Sequence, residues 1–277
     1  MKLNSLKLIS NGLFSDEPMG VLVDTRKCVG CKACTISCKL WNDNKRETET
    51  FKTETSANTY AVVTETEVVK NGKLEYALVR KQCMHCVEPW CESACPTGAI
   101  YKTKDGPVLY DASRCLGCKY CVQSCPYGAP HFDEEEKVIK KCVFCYDRIS
   151  LGLEPACVGT CITGALEYGV REELVAKAKA AMGEGHATFG VDDSGGTSFI
   201  YILQKNIEPK DVGFPELGSA TPGSFKLNML QSTTGIGGAT VALSLAGIAA
   251  AKYMERRKVV SESMKKGETE RKRSGDD

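Results

Sequence analysis

The stretch CLGCKYCVQSCP, residues 115–126, decides the fold predicted for this chain. Its cysteines follow the spacing C-x2-C-x2-C-x3-C-P, with which bacterial proteins bind [4Fe–4S] clusters. Three thiolates on one tight loop bind three irons of a cuboidal cluster, whereas a helical turn carries the fourth cysteine away. That fourth cysteine binds the other cluster of a pair. The stretch therefore predicts a second motif elsewhere in the chain that is interlocked with it.

The remaining cysteines form three further groups of four. One group repeats the same spacing, one reads C-x2-C-x4-C-x3-C-P, and one reads C-x2-C-x11-C-x3-C. In chain order, the first to fourth motifs are Cys28, Cys31, Cys34 and Cys38; Cys83, Cys86, Cys91 and Cys95; Cys115, Cys118, Cys121 and Cys125; and Cys142, Cys145, Cys157 and Cys161. They use all 16 cysteines of the 277-residue chain. Four motifs predict four [4Fe–4S] clusters.

Disulfide bonds and structural zinc are the two other uses of cysteine that these numbers allow. Disulfides would leave the two C-x2-C-x2-C-x3-C runs unexplained, because cysteines this close together form strained short loops. Structural zinc sites usually pair two C-x2-C knuckles across a longer stretch. The fourth motif is the best zinc candidate, whereas three cysteines in one short loop favour a cluster.

The composition excludes several classes of function. With 36 Lys and Arg against 35 Asp and Glu, the formal net charge of +1 argues against a nucleic-acid binder that uses a broad basic field. A 42% share of hydrophobic residues is ordinary for a folded protein and argues against general disorder. No Gly-rich phosphate loop follows a predicted strand. A self-contained redox enzyme would also need a substrate site, which the sequence does not indicate.

The rest of the chain predicts an arm, a compact cluster domain and a linker. Residues 1–20 lack the apolar core of a signal peptide, so we expect export alongside a partner that carries the signal. The segments that flank Asn71-Gly72 predict a β-hairpin inserted between the first and second motifs. Strands are predicted at 20–24, 106–111 and 197–204, and a helix at 171–182. The expected domains are an arm at 1–20, a cluster domain at 21–208 and a linker at 209–226.

An uncharged stretch near the C-terminus predicts a membrane helix. Residues 227–251 carry no charge, and at about 1.5 Å per residue they span a bilayer core of roughly 30 Å. A soluble Ala- and Gly-rich segment is the alternative. Lys252, Arg256, Arg257 and Lys258 follow the stretch, so the positive-inside rule predicts a transmembrane helix at 227–253 and a cytoplasmic tail at 254–277. The cluster domain is then predicted on the periplasmic or equivalent face of the cell membrane.

The motifs and their flanks resemble a known protein family. The segments CVGCKACTISCKLWND (28–43), CMHCVEPWCESACPTGAI (83–100), CLGCKYCVQSCPYGAP (115–130) and KCVFCYDRISLGLEPACVGTCITGAL (141–166) are similar to the four-cluster iron–sulfur subunits of molybdopterin oxidoreductases. The word NGKLEY before CMHC, and the single C-terminal membrane helix, look most like the β subunit of respiratory formate dehydrogenase. The resemblance implies an α+β fold of two interlocked, bacterial-ferredoxin-like modules with a β-hairpin insertion, plus the transmembrane helix.

The resemblance also implies how the motifs pair, the first with the fourth and the second with the third. Carried over by position, the ligand sets are Cys28, Cys31, Cys34 and Cys161; Cys38, Cys142, Cys145 and Cys157; Cys83, Cys86, Cys91 and Cys125; and Cys95, Cys115, Cys118 and Cys121. This sequence departs from the family at Ile162, where proline is frequent. That difference affects backbone rigidity and not ligation.

The function that the resemblance implies is electron transfer, with no catalytic residue in this chain. Electrons would pass from a molybdopterin-containing, formate-oxidising subunit through four [4Fe–4S] clusters to a membrane cytochrome b that reduces quinone. The equivalent subunit of a membrane hydrogenase, or of another molybdopterin reductase, is the alternative. A zinc or iron sensor is a third interpretation, which iron and sulfide analysis would separate from the others.

The sequence also predicts the roles of several residues that lie beside the ligands. His85 lies inside the second motif and is expected to hydrogen-bond near a cluster and not to ligate metal. Six cations adjoin the motifs and are expected on solvated surface, the alternative being that their positive charge raises the reduction potentials of the clusters. They are Lys27, Lys32, Lys39, Lys119, Lys141 and Arg148.

Overall fold

The computed structural model describes residues 17–47, 52–70, 72–218, 221, 247 and 250–258. The strands are β1 (Met19–Asp24), β2 (Ala61–Lys70), β3 (Lys73–Gln82), β4 (Ile100–Lys102), β5 (Val108–Tyr110), β6 (His131–Asp133), β7 (Val138–Lys140), β8 (Leu166–Val170), β9 (Thr188–Phe189) and β10 (Phe199–Ile202). The helices are α1 (Ala33–Trp41), α2 (Trp90–Ser93), α3 (Tyr120–Ser124), α4 (Tyr146–Ile149), α5 (Ala156–Gly159) and α6 (Arg171–Gly183). Short 3₁₀ turns lie at Thr25–Lys27, Ala112–Arg114, Asp193–Gly195 and Pro209–Val212.

A four-stranded sheet in the order β8-β1-β10-β9 joins the two ends of the cluster domain. Strand β1 pairs in parallel with β10, with Val21 opposite Phe199, and antiparallel with β8, with Met19 opposite Val170. Every residue of β1 and β10 is buried. A continuous buried run of this kind is typical of a strand that is covered on both faces.

The two faces of this sheet belong to different cores, because side chains alternate along a strand. Leu22 and Ile200 pack with Leu174 of α6 on one face. Val21 and Tyr201 point into the other core, which also contains cysteines of the second and fourth motifs. The sheet therefore packs against α6 with one face and against the core that contains cysteines with the other.

Three hairpins surround the cysteine motifs. The hairpin of β2 and β3 runs from the pair Ala61 and Gln82 to the pair Lys70 and Lys73, which confirms the predicted insertion. Its base is buried, and its outer half alternates between half-buried and exposed residues. The β4–β5 and β6–β7 hairpins follow the second and third motifs and bury Ile100 against their cysteines.

The folded elements extend a few residues beyond both expected boundaries of the cluster domain. The arm expected at 1–20 ends earlier, because β1 begins at Met19, whose backbone N–H donates to the Asp105 carbonyl at 2.8 Å. The linker expected from residue 209 is folded through Phe214. Val212 is buried, and the Phe214 ring stacks on Phe189 with centroids 4.3 Å apart. These aromatic contacts extend the core beyond residue 208.

The C-terminal part of the chain is described only in fragments. Within the described residues, no helix is long and apolar enough to cross a membrane. The predicted transmembrane segment 227–253 lies outside them except for residues 247 and 250–253, and so does the tail after residue 258. Residues 250–258 are helical, and Arg256 donates hydrogen bonds to the backbone carbonyls of Ala112 and Cys115.

Candidate metal centre

The first and third motifs adopt the same local structure. Each begins after a 3₁₀ turn, whose preceding aspartate, Asp24 or Asp111, accepts a hydrogen bond from a backbone N–H two residues on. Each loop then passes through a glycine with φ of +68° and a lysine in the left-handed region, immediately before helix α1 or α3. This path wraps the first three cysteines around one point and starts the helix that carries the fourth cysteine away.

The second and fourth motifs form a second matching pair. His85 in one motif, and Phe144 with Cys145 in the other, have positive φ and turn the chain between the first two cysteines. Pro89 and Pro155 then cap the short helices α2 and α5. Those helices carry the third cysteine of each motif, so similar chain paths follow from different spacings.

The structure brings the 16 cysteines together in four groups. Within each group the thiols interact electrostatically with one another. Group 1 is Cys28, Cys31, Cys34 and Cys161; group 2 is Cys38, Cys142, Cys145 and Cys157; group 3 is Cys83, Cys86, Cys91 and Cys125; group 4 is Cys95, Cys115, Cys118 and Cys121. Each group takes three cysteines from one motif and one from another.

Electrostatic interactions and helix packing between the groups give their order. Groups 1 and 2 meet where Cys34 interacts with Cys38 on α1. Groups 2 and 3 meet where Cys142 interacts with Cys83. Groups 3 and 4 are joined by the packing of α2 against α3, which together carry members of both groups. The sequence of neighbours is therefore 1, 2, 3, 4, and exposed Cys31 lies at one end.

Burial raises the pKa of most of these thiols above its ordinary value. It raises the pKa of Cys38 and Cys121 to about 12, and that of Cys125 and Cys145 to about 11. A coordinating metal deprotonates such thiols outright, so metal binding here releases protons and is coupled to folding.

Cys95 and Cys161 differ, because backbone amides surround their sulfur atoms. Burial alone would raise the pKa of each thiol, but hydrogen bonds from the following residues lower it. The Ala99 N–H donates to Cys95 Sγ at 3.3 Å, and Thr97 Oγ1 lies 3.6 Å from the same sulfur. Both cysteines begin the sequence C-x-T-G-A, a repeat that marks these anion-stabilising turns and that sequence reasoning missed.

The donor set fits a cluster better than a single metal ion. Every cysteine lies among the described residues, and none forms a disulfide bond with another. Among the described residues, which include every cysteine, no three His, Cys, Asp or Glu side chains converge to hold one metal ion. Tetrahedral zinc with Zn–S bonds of about 2.3 Å requires thiolates within about 4 Å of one another. A cuboidal cluster holds its four thiolates farther apart, since each binds a different iron.

The polar groups near the cysteines are largely buried. The imidazole of His85 is fully buried, and its Nδ1 accepts a hydrogen bond from the Val108 N–H at 2.9 Å. Burial and the positive charge of Lys141 lower the pKa of His85, so the ring is neutral. Lys141 was expected on solvated surface, but it is 1% exposed and donates to the backbone carbonyls of Val108 and Cys142. That expectation was wrong because these carbonyls replace water around its ammonium group.

Two segments of the chain match models of known domains. Residues 74–171 and residues 27–99 each match a 4Fe–4S dicluster domain. Together they cover all four motifs. The cluster domain is therefore a mixed α/β unit built from two 4Fe–4S dicluster domains.

Several characterised proteins are similar over most of this chain. The iron–sulfur subunit of the nitrate-inducible formate dehydrogenase of Escherichia coli is 37% identical over 203 residues, which cover 68% of this chain and 69% of the relative. The formate dehydrogenase-O iron–sulfur subunit of the same organism is 36% identical over 215 residues, 72% of each chain. The electron transfer subunit of a thiosulfate reductase of Salmonella typhi is 38% identical over 154 residues, 55% of this chain and 76% of the relative. The chain belongs to the family of iron–sulfur, electron-transfer subunits of formate dehydrogenases and related reductases.

Proposed function

We propose that groups 1 to 4 each hold one [4Fe–4S] cluster, which makes four clusters per chain. The observation that carries this proposal is the crossing of the groups, in which each set of three cysteines is completed by a cysteine from a partner motif. The three-plus-one arrangement is what a pair of neighbouring [4Fe–4S] clusters requires. It also matches the pairing that the family resemblance implies.

The order of the ligand groups sets the order in which electrons would pass. When bound, the clusters supply one-electron redox chemistry. The sheet and the short helices hold the four ligand groups in the order 1, 2, 3, 4. The distance that an electron travels through the domain is therefore divided into short steps between neighbouring sites. Groups 1 and 4 are the ends of this series, and the exposure of Cys31 makes group 1 accessible to a partner.

We further propose that the electrons come from a molybdopterin-containing, formate-oxidising subunit and leave to a membrane cytochrome b that reduces quinone. The similarity to two formate dehydrogenase subunits supports this assignment. The similarity to a thiosulfate reductase subunit favours a second candidate, the equivalent role in another molybdopterin reductase. Purification of the tagged chain with its partners separates the candidates, because the first requires formate-dependent reduction of the bound clusters. Reduction by a sulfur compound alone would support the second.

The cluster proposal is tested by metal analysis and by paired variants. The purified holoprotein should contain 16 iron and 16 sulfide per chain, and four to eight zinc would contradict it. Cys38→Ala and Cys145→Ala should remove the same EPR signal of the reduced protein, although the residues lie far apart in sequence. Cys34→Ala and Cys161→Ala should form the other matched pair. Loss of one signal by both Cys38→Ala and Cys31→Ala would overturn the crossing.

The membrane topology is a separate proposal. Residues 227–253 cross the membrane, the tail 254–277 lies in the cytoplasm, and the cluster domain lies on the periplasmic or equivalent face. The uncharged length and the basic residues after it support this arrangement. The hydrogen bonds from Arg256 to the Ala112 and Cys115 carbonyls keep residue 256 beside the cluster domain, so the two arrangements exclude each other.

A protease-protection experiment tests the position of the tail. A cysteine-free tag after Asp277 should resist protease in intact spheroplasts and be cut only after lysis. Digestion in intact spheroplasts would place the tail outside the cytoplasm and would contradict the proposed topology.

A further inference from the structure

Arg80 is a buried cation without a carboxylate partner. It lies on β3 and is 2% exposed. Its Nη1 donates to Gln82 Oε1 at 2.5 Å, and its guanidinium lies 5.6 Å from the centroid of the Phe199 ring. Its Nε has no hydrogen-bond partner. Among the described residues, no ion pair between Arg80 and an Asp or Glu occurs.

The negative charge near Arg80 comes from the cysteine groups. Burial alone would lower the pKa of Arg80, but the neighbouring thiols raise it above its ordinary value. Those thiols belong to Cys157, Cys34, Cys38 and Cys142. Three of them are members of group 2 and one is a member of group 1. The Phe199 ring beneath the guanidinium packs in one core with Cys157 of group 2, and Cys34 and Cys161 of group 1 pack against that core, so the guanidinium lies where groups 1 and 2 meet.

This position is costly unless the cysteines carry charge. Arginine does not lose its proton in proteins, so a buried guanidinium must be compensated by negative charge or hydrogen bonds. Neutral thiols would leave Arg80 with one side-chain hydrogen bond and an unpartnered Nε–H. Thiolates that bind metal supply the missing negative charge. The positive charge of Arg80 thus balances the negative charge that the thiolates of groups 1 and 2 carry when they bind metal.

A closed hydrogen-bond network fixes the guanidinium in place. Gln82 accepts from Arg80 and donates to the Tyr201 hydroxyl at 2.6 Å. The Tyr201 hydroxyl donates in turn to the backbone carbonyl of Arg80 at 2.6 Å. Because Tyr201 belongs to β10, the network ties β3 to the central sheet. The charge is therefore preorganised, unlike that of Lys27, which is largely exposed to solvent.

We propose that Arg80 raises the reduction potentials of the two clusters held by groups 1 and 2, an inference that rests on the proposed ligand sets. A fixed positive charge beside a cluster stabilises the form that has gained an electron, and burial prevents water from screening it. Group 4 is the most distant group in the series, so its cluster serves as an internal reference. Lys141, which interacts with Cys91 and Cys125, is a separate cation beside group 3.

The test is an EPR-monitored redox titration of the full-length holoprotein. In Arg80→Met, the equilibrium constants for reduction of two clusters should fall at least tenfold, which is about 59 mV toward lower potential for one electron. The potential of the group 4 cluster should not change. Arg80→Lys keeps the positive charge and should titrate closer to the wild type. An Arg80→Met protein with full iron content and four unchanged potentials, or with four equal shifts, would overturn the proposal.

A matched control separates charge from stability. Arg171 is a half-buried arginine that donates to the carbonyls of Thr197 and Val191, and Thr197 pairs with Cys86 of group 3. Arg171→Met should lower the thermal midpoint and leave the potentials of the group 1 and group 2 clusters in place. Movement of the group 1 and 2 potentials in this control would count against Arg80 as their specific determinant.

The same samples distinguish failure of this proposal from failure of the proposed function. A wild-type protein with fewer than 16 iron per chain would contradict the four-cluster assignment itself. If Arg80→Met does not retain its clusters, Arg80→Lys becomes decisive, since it should retain 16 iron and potentials near those of the wild type. An Arg80→Lys protein that also loses its clusters would show that shape and not charge is required, which overturns the role proposed for Arg80.

Discussion

Gly190 and Gly185 have nearly the same backbone conformation but different surroundings. Their φ angles are +88° and +87°, in the region that favours glycine. A Cβ on Gly190 would clash with Thr197 Oγ1 and approach the Phe199 carbonyl oxygen to 2.5 Å, whereas a Cβ on Gly185 meets nothing within 4 Å. We expect Gly190→Ala to cost about 3 kcal/mol or more and Gly185→Ala about 1 kcal/mol.

The rate of cluster loss in guanidinium measures this difference. Because cluster loss is irreversible, a rate is the appropriate readout and not an equilibrium free energy. The Gly190→Ala protein should lose its visible cluster absorbance much faster than the Gly185→Ala protein. Equal rates would mean that backbone strain alone dominates at both positions.

The residues that surround the ligands show where sequence reasoning ends. Cysteine spacing predicts the motifs because local geometry fixes which thiols share a loop. Lys141 was misjudged, and Arg80 was not considered, because the identity of a cation does not reveal whether it is buried. Arg80 meets Cys142 only through the folding of distant segments. The repeat C-x-T-G-A after Cys95 and Cys161 was a usable local signal, since glycine and threonine there complete the sulfur-binding turns.

At the scale of elements, Glu47 links the end of α1 to the segment that leads to β2. It accepts hydrogen bonds from Lys39, Lys52, Ser56 and Thr59. Burial alone would raise the pKa of Glu47, but these donors lower it to about 2. The folded-state pKa is thus below the ordinary value of 4.5. The stabilisation is therefore complete above pH 4.5 and is lost as the pH falls toward 2.

Comparison of wild type with Glu47→Gln tests this link. At pH 6 the variant should lose its clusters several-fold faster, since it has lost about 1–2 kcal/mol after allowance for solvent screening. In jumps to lower pH, the ratio of the two rates should approach one between pH 4.5 and 2. The ratio cancels the acid lability that both proteins share. A ratio that stays constant across this range would show that the charge of Glu47 does not matter.

The outer half of the β2–β3 hairpin is expected to be dispensable for cluster binding. Its side chains Val69, Leu74 and Tyr76 are exposed, whereas Val63 and Val79 at the base are buried. Replacement of residues 67–76 by a two-residue Asn-Gly turn should preserve 16 iron per chain. Val79→Asp, at the buried base, should reduce the iron content. Iron loss in the shortened protein equal to that of Val79→Asp would contradict this division.

Local elements were predictable, but their pairing was not. The hairpin, the first strand and helix α6 follow from turn residues, short apolar runs and helix propensity. The parallel pairing of β1 with β10 joins Val21 to Phe199 across most of the domain, and no local pattern encodes it. The segment that contains Phe214 was predicted as linker because of its prolines and glycines. The aromatic partner that holds Phe214 in the core, Phe189, lies outside any local window.

At the scale of the whole molecule, the cluster domain is expected to be separable from the C-terminal segment. All 16 cysteines and the four-stranded sheet precede Phe225. Truncation after Phe225 should therefore leave a soluble, brown protein with 16 iron per chain. Quinone-linked activity in membranes should fall, because the proposed cytochrome contact is weakened. A truncated protein that still pellets with membranes in the absence of its partners would argue against residues 227–253 as the anchor.

The nested order of the motifs carries a consequence for biogenesis. Groups 3 and 4 draw only on residues 83–125, whereas group 1 spans from Cys28 to Cys161 and the sheet closes only with β10. A ribosome releases the N-terminal part of a chain first, and short loops close at lower entropic cost than long ones. The inner half of the domain can thus be loaded while the outer half is still being translated. The cysteines of the first motif therefore lack part of their ligand sets until residues 142–161 have been synthesised.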